Sequence, residues 1–200
     1  YTFLGWYKTQ SYNELITEES IVCVPGDHYL YALWSANEYT VMFDPGEGEC
    51  DITEKTVVFD TCYGELPVAK RTGYNFLGWF DSQGNHITQD ALVKITQSQT
   101  FYASWDVLVV TVNFDSDDGE CSFTQKDIEY GQTYSELPQA YKDKMLFVGW
   151  YTSQNDGEKI NETTIMTQTQ SHTLYAKFKS FTLSINELFD NSYNSSNCST

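Results

Sequence analysis

Three histidines are the side chains of this sequence best suited to act as acids, bases or metal ligands at neutral pH. His28, His86 and His172 share no common motif, and none is paired in sequence with a recurrent Cys, Ser or carboxylate. A nucleophile–base pair or a zinc site requires such a partner. We therefore predict that the chain is not an enzyme and that it holds no catalytic metal or cofactor.

An acidic turn at residues 115–120, with the sequence Asp-Ser-Asp-Asp-Gly-Glu, offers the carboxylate oxygens that calcium prefers. It lacks the ligand spacing and the distant bidentate Glu of an EF-hand loop. The parallel turn at residues 44–49 carries fewer carboxylates. We interpret both segments as solvated hairpin turns.

Five cysteines are too few for a scaffold built on disulfides, and an odd number leaves at least one of them unpaired. Cys50 and Cys62 are close in sequence, but five strand residues span roughly 17 Å and bridged Cα atoms lie within about 7 Å. They can pair only if the intervening loop folds back. Cys50, Cys62 and Cys121 therefore remain candidates for a local bridge, for free thiols or for links between chains.

Three Asn-x-Ser/Thr sequons, at Asn161, Asn194 and Asn197, are candidate N-glycosylation sites. Such short motifs arise easily in a chain rich in Asn, Ser and Thr. In a eukaryotic source they would favour a secretory route.

An internal repeat organises the whole chain. A Gly-Trp pair flanked by aromatic residues occurs three times, and residues 43–80 match residues 114–151 at 15 of 38 positions without a gap. Each copy closes on a similar phrase that contains a tyrosine. We expect the Gly-Trp pairs and these tyrosines to form the structural core motif: Gly5, Trp6, Gly78, Trp79, Gly149, Trp150, Tyr31, Tyr102 and Tyr175.

The repeat boundaries predict the domain organisation. Residues 1–36 form the C-terminal half of one module, residues 38–106 and 108–178 form two complete modules, and residues 179–200 are a linker or the start of a further domain, in which residues 181–185 read as a strand. Because a repeat begins in its middle, we expect the chain to be a piece of a longer array.

The apolar spacing within a module is mostly two, which predicts β-strands. In the Gly-Trp strand, strict alternation places Tyr74 and Phe76 on one face and Leu77 and Trp79 on the other. The glycine within this strand is typical of a bulge or of a close approach. Residues 63–66 look able to form a helical turn that ends at Pro67. His28 and His172, just before the closing strands, are expected in exposed loops.

Four phrases of the middle module, in a fixed order, resemble a known family. They are Tyr-Thr-Val-Met-Phe-Asp at residues 39–44, Tyr-Gly-Glu-Leu-Pro at 63–67, Arg-Thr-Gly-Tyr-Asn-Phe-Leu-Gly-Trp at 71–79 and Phe-Tyr-Ala-Ser-Trp at 101–105. This pattern resembles the internalin-type B repeat, also called the Listeria–Bacteroides repeat. The third module departs from it, because Lys-Asp-Lys-Met at residues 142–145 stands where the family usually has Thr-Gly-Tyr.

The resemblance implies a mainly β fold of small β-grasp-like, ubiquitin-related modules, arranged as an elongated array. It also implies a structural, spacer or adhesive role on cell-surface or extracellular proteins of microbes. No catalytic residues come with the family pattern.

The net charge is −17, and residues 38–105 and 108–178 each carry six more acidic than basic residues. Such a surface repels phosphate backbones and anionic membranes. Nucleic-acid partners and membrane insertion are therefore not expected.

Two functional hypotheses follow. The first is a structural spacer, whose partners are neighbouring repeats of the same chain and other copies in a filament. The second is an adhesin that binds a protein or a glycan through exposed aromatic side chains or sheet edges. Burial of Trp79, Tyr102 and their equivalents would favour the spacer, and a row of exposed rings would favour binding.

Overall fold

The computed structural model describes residues 1–180. The predicted strand at residues 181–185, the sequons at Asn194 and Asn197, and Cys198 lie outside the described residues. Two compact units divide the chain, Tyr1–Asp106 and Val107–Thr200. The described residues contain strands, turns and coil but no helix, so the prediction of a mainly β fold is confirmed.

The first unit begins with a three-stranded antiparallel sheet. Its strands are β1 (Thr2–Tyr7), β2 (Leu15–Ile16) and β3 (Tyr31–Ser35), in the order β2-β1-β3. These strands carry the half copy of the repeat, and β3 lies at an edge of the sheet.

A five-stranded sheet follows in the same unit and carries the middle copy. Its strands are β4 (Glu38–Asp44), β5 (Glu54–Val58), β6 (Tyr74–Phe80), β7 (His86–Ile87) and β8 (Gln99–Val107), in the order β5-β4-β8-β6-β7. The first and last strands, β4 and β8, are parallel neighbours at the centre of the sheet.

The second unit repeats this arrangement. Its sheet has the order β11-β9-β15-β13-β14, and β10 pairs separately with β12. The strands are β9 (Val109–Asp115), β10 (Glu120–Cys121), β11 (Gln125–Glu129), β12 (Ala140–Tyr141), β13 (Met145–Tyr151), β14 (Lys159–Ile160) and β15 (His172–Ser180). Each complete copy has its own buried cluster, built on one face of its sheet.

The strict alternation predicted for the Gly-Trp strand is wrong. Leu77 is 53% exposed and Trp79 is 1% exposed, although the pattern placed them on the same face. In β1 and β13 the pairing register shifts at the glycine, which is a β-bulge. In β13 the extra residue lets Phe147 and Trp150 point to the same side, with ring centroids 5.6 Å apart. The equivalent rings of β6, Phe76 and Trp79, lie 5.4 Å apart.

The helical turn predicted at residues 63–66 is also wrong. The backbone N–H groups of Tyr63 and Gly64 donate to the carbonyls of Ala91 and Gln89, so they bond across to another segment instead of within a turn. Gly64 has φ +69°, which no right-handed helical turn allows. A loop therefore covers the core where a helical turn was expected.

The departure of the third copy from the family pattern has a backbone consequence. Lys144 has φ +57°, and the corresponding residue of the middle copy, Gly73, has φ +78°. A left-handed conformation costs a non-glycine residue roughly 1–2 kcal/mol. Within residues 1–180 the ammonium of Lys144 forms an ion pair only with Asp143, at 3.9 Å, and both side chains are highly exposed. Nothing in this contact offsets the backbone cost.

We predict that Lys144→Gly raises the free energy of unfolding of the second unit by about 1 kcal/mol, because glycine removes the left-handed penalty. Chemical denaturation followed by circular dichroism measures the change. Gly73→Lys serves as the reciprocal control and should destabilise the first unit by a similar amount. A less stable Lys144→Gly protein would contradict the assigned backbone conformation.

Candidate functional surfaces of the repeat

The tryptophan of each complete copy is fully enclosed. Trp79 and Trp150 are each 1% exposed. Their indole N–H groups donate to the carbonyls of Pro67 and Pro138, at 2.7 and 2.8 Å. Each indole is therefore enclosed by protein atoms and its N–H is already hydrogen-bonded, so neither ring is accessible to a ligand.

The residue packed on each indole comes from the first strand of the copy. The ring centroid of Phe43 lies 4.9 Å from that of Trp79, and the centroid of Phe114 lies 5.0 Å from that of Trp150. Such aromatic pairs stabilise a core beyond the area that they bury. The Gly-Trp strand is thus held to a strand that lies more than 30 residues earlier in the chain.

The glycine before each tryptophan has a double requirement. Gly5, Gly78 and Gly149 have φ values of +145°, +124° and +144°. A Cβ on Gly78 would lie 2.5 Å from Nε2 of His86, and one on Gly149 would lie 2.6 Å from Cε of Lys159. In the complete copies a short strand, β7 or β14, therefore lays a side chain over the glycine, and the positive φ would strain any other residue there.

The first copy differs from the other two, since Trp6 is 47% exposed. It was expected in a core with Trp79 and Trp150. Its ring contacts Phe3, at 5.6 Å between centroids. The half copy has no strand equivalent to β4, so nothing covers the indole from that side in the described residues.

The tyrosines of the closing strands were expected in the core with the tryptophans, but they lie outside it. Tyr102 is 45% exposed, and Tyr31 and Tyr175 are half-buried. Their strands alternate, so Phe101 and Leu174 take the core positions and the tyrosines point to the opposite face of the sheet. The similarity between copies identified the tyrosine as a recurring position, but it did not show on which face of the sheet the side chain lies.

An aromatic pair forms on this outer face in two copies. Tyr7 is paired with Tyr31 across β1 and β3, and Tyr151 is paired with Tyr175 across β13 and β15. In the middle copy the corresponding residues are Phe80 and Tyr102, on the adjacent strands β6 and β8. We call these six residues the outer aromatic pairs.

Side chains of different chemistry lie beside the outer aromatic pairs. The imidazole of His86 is 4.9 Å from the ring of Phe80, between centroids. The ammonium of Lys177 lies 4.3 Å from the ring centroid of Tyr151, within the range of a cation–π contact. The ring of Tyr12 contacts Tyr7 at 5.5 Å. The aromatic pair thus recurs and its neighbours vary.

A lysine of the second strand anchors the loop that covers the core, and sequence analysis missed it. Nζ of Lys55 donates to the carbonyls of Tyr63 and Glu65, both at 2.7 Å. Nζ of Lys126 donates to the carbonyls of Tyr134 and Glu136, at 3.0 and 3.2 Å. The lysine is one of the identical positions of the two copies, and that identity was the available signal.

The histidines lie in three different environments. His28 is exposed and contacts the carbonyl of Gly26. His172 was expected in an exposed loop, but it is the half-buried first residue of β15. Its Nε2 lies 2.8 Å from the hydroxyl of Tyr134. Burial raises the pKa of Tyr134 above its usual value.

The four cysteines of the described residues are all free thiols, so no local bridge joins Cys50 to Cys62. Sγ of Cys50 donates to the carbonyl of Ile52 at 3.1 Å, and Sγ of Cys121 donates to that of Phe123 at 2.9 Å. Burial raises the pKa of the Cys121 thiol. Both half-buried thiols therefore act as local hydrogen-bond donors, and Cys62 is exposed.

The acidic turn is held by a lysine. Nζ of Lys142 lies 2.7 Å from the Asp117 carboxylate, and it also donates to the carbonyl of the same residue. Within residues 1–180, no three His, Cys, Asp or Glu side chains are close enough together to hold a metal ion. Asn161, the sequon residue in the described part, is exposed.

Residues 1–180 contain no helix with the length and apolar character needed to cross a membrane.

The family model of the Listeria-Bacteroides repeat domain matches the chain in three segments, at residues 1–33, 39–104 and 111–177. Together they cover most of the chain, with one segment for each Gly-Trp pair.

Two proteins of the bacterium Evansella cellulosilytica are similar to this chain. One, named "Putative membrane protein", is 31% identical over 151 residues, which cover 75% of this chain and 22% of the relative. The other, named "Putative Gly-rich membrane protein", is 30% identical over 155 residues, which cover 74% of this chain and 17% of the relative. The chain thus spans about a fifth of the length of these curated relatives.

We predict that Trp79→Ala destabilises the middle copy by about 3–5 kcal/mol, because it removes a fully buried ring and its hydrogen bond. Hydrogen exchange measured by mass spectrometry on peptides of residues 38–106 reports the loss. Trp6→Ala, followed on peptides of residues 1–35, is the matched control and should cost clearly less, since that side chain is already 47% exposed. Equal costs would contradict the placement of the two rings.

Proposed function

Because the chain belongs to the Listeria-Bacteroides repeat family, we propose that it is a non-enzymatic structural segment of a larger protein, in which tandem β modules act as a spacer. The observation that carries this proposal is the use of the Gly-Trp motif. In both complete copies the most distinctive residue of the repeat, its tryptophan, is enclosed and hydrogen-bonded within its own module. Because this tryptophan packs within its own module, it is not available to a ligand. This supports a repeat whose function depends on the number of copies.

The strand order of the complete copies supports a β-grasp-like module. In each sheet the first and last strands of the copy are central and parallel, and antiparallel hairpin partners lie on both sides. We propose that such modules are joined into an elongated array. In the first unit, the half copy contacts the middle copy directly, which supports this arrangement for successive repeats.

The contact between these two copies involves the first residue. The hydroxyl of Tyr1 donates to the carboxylate of Asp60 at 3.2 Å, and its ring packs edge-on against Phe59 at 5.5 Å. Lys94 forms an ion pair with the same carboxylate. Hydrogen bonds from Lys94 and Tyr1 lower the pKa of Asp60 below its usual value. Adjacent copies therefore have a specific contact that can restrict their relative motion.

We propose that the protein lies at the cell surface or outside the cell. The two Evansella relatives are named as membrane proteins, and their greater length leaves room for other domains. The net charge of −17 disfavours binding to anionic surfaces, which suits a solvent-exposed spacer.

A second candidate function is adhesion to a protein or a glycan. The outer aromatic pairs favour it, because they recur on the face opposite the core and Tyr102 is 45% exposed. Weak contacts at each pair would add up along linked copies. The variable neighbours, His86 beside Phe80 and Lys177 over Tyr151, would then tune each copy to a different part of the ligand.

The spacer proposal predicts that length increases with repeat number. A chain with a second copy of residues 38–106 inserted after Asp106 should have a maximum dimension larger by on the order of 25–30 Å, the diameter of a compact module of this size. Small-angle X-ray scattering measures it, with the unmodified chain as the reference. An unchanged maximum dimension would show that the modules fold back on one another and would overturn the proposal.

The adhesion alternative predicts that the full chain binds a printed glycan array and that Tyr102→Ala combined with Tyr175→Ala weakens this binding at least about tenfold. The control is Val68→Ala, because Val68 is exposed but does not belong to the outer aromatic pairs. Equal binding by the double variant and the control would exclude the outer aromatic pairs as the binding surface.

A further inference from the structure

The sheet of the third copy separates its charges on the face opposite the core. We propose that this outer face of the sheet β11-β9-β15-β13-β14, which we call the divided face, binds the divided face of a second copy of the chain. Two chains would then associate side by side through their third copies. The inference does not depend on the spacer function, and it assigns this face to another chain instead of to an adhesion ligand.

One half of the divided face is acidic. Asp127 and Glu129 of β11 lie on either side of Ile128, which belongs to the core. Asp115, the last residue of β9, follows the core residue Phe114. Because side chains alternate along a strand, the three carboxylates lie on the outer face, on two adjacent strands.

The other half of the divided face carries lysines. Lys177 and Lys179 of β15 alternate with Ala176 and Phe178, which pack in the core. Lys159 of β14 directly precedes a buried isoleucine. Within residues 1–180, none of these three lysines and none of the three carboxylates forms an ion pair. Both halves therefore present charges that a partner can neutralise.

The two halves cannot neutralise each other within one sheet. Two strands lie between β14 and β9, so three strand spacings, roughly 14 Å, separate Lys159 from Asp115. An ion pair requires a distance within about 4 Å. Lys177 is directed away from β9, because its ammonium lies over the ring of Tyr151 on β13 and donates to the carbonyl of Asn155.

Apolar side chains accompany these charges on the divided face. Tyr151 and Tyr175, its outer aromatic pair, are half-buried cross-strand partners on β13 and β15. Leu146 and Val109 are 47% and 54% exposed on the same face. Burial of these groups would stabilise an association, and the charges would fix its orientation.

A second divided face complements the first. A two-fold axis parallel to the strands turns one face onto the other and reverses the order of the strands, so that the lysines of one copy lie opposite the carboxylates of its partner. Packed sheets lie about 10 Å apart, and a lysine and a carboxylate side chain together can span this gap. Both halves thus gain neighbours of opposite charge at once.

The middle copy lacks this division and complements the divided face less well. The carboxylates on its outer face are Glu38, Asp44, Glu54 and Asp106. The one lysine in its strands, Lys55, is directed to the loop that covers the core. Such a face would match the lysines of the third copy but would set acids against its acidic half.

The test is sedimentation velocity of the full chain over a range of concentrations, with two variants of opposite charge. Lys159→Glu with Lys179→Glu makes the basic half acidic, and Asp127→Lys with Glu129→Lys makes the acidic half basic. All four side chains are exposed, and circular dichroism checks that the fold is kept. We expect the unmodified chain to dimerise reversibly and each variant alone to dimerise at least about tenfold more weakly.

An equimolar mixture of the two variants should dimerise at least about tenfold more tightly than either alone, because every pair of opposing halves again has opposite charge. Glu38→Lys with Glu54→Lys is the matched control, since it makes the same change of net charge on the middle copy, and it should not weaken the dimer.

An unmodified chain that stays monomeric at every concentration would overturn the proposal, as would a mixture that dimerises no better than its components. Weaker association of the control variant would assign the partner surface to the middle copy and would also overturn it.

Discussion

The enclosed tryptophan is the interaction on which each complete repeat depends. Its indole N–H donates to a proline carbonyl of the covering loop, and its ring packs on a phenylalanine of the first strand. One side chain therefore connects three segments that are distant in sequence. A module of about 70 residues has only a small core. The tryptophan and the lysine that anchors the loop therefore both hold the covering loop against the sheet.

The glycine before the tryptophan makes this packing geometrically possible. The bulge at Gly149 shifts the register of the strand by one residue, so that Phe147 and Trp150 both face the core. The glycine also leaves room for the side chain of β7 or β14 that lies over it. The Gly-Trp pair is conspicuous in the sequence because two separate requirements, a left-handed backbone and an absent Cβ, meet beside the residue that fills the core.

The half copy shows how far burial depends on partners. Trp6 follows the same Phe-Leu-Gly sequence as Trp79, yet it is 47% exposed. The difference comes from the absence of a first strand and a covering loop beside the half copy in the described residues. A repeat motif therefore carries the capacity to be buried, and the segments packed beside it decide whether the tryptophan is enclosed.

Much of this protein could be read from its sequence: the repeat, the predominance of strands, the family and the acidic surface all follow from local residue patterns. The sequence did not predict the face that Tyr102 occupies, the loop at residues 63–66, the half-buried place of His172 or the role of Lys55. These features depend on hydrogen bonds and contacts between segments far apart in the chain. A one-residue bulge, or a hydrogen bond between segments distant in sequence, changes which side chains are in contact. The position of such a feature depends on the tertiary structure.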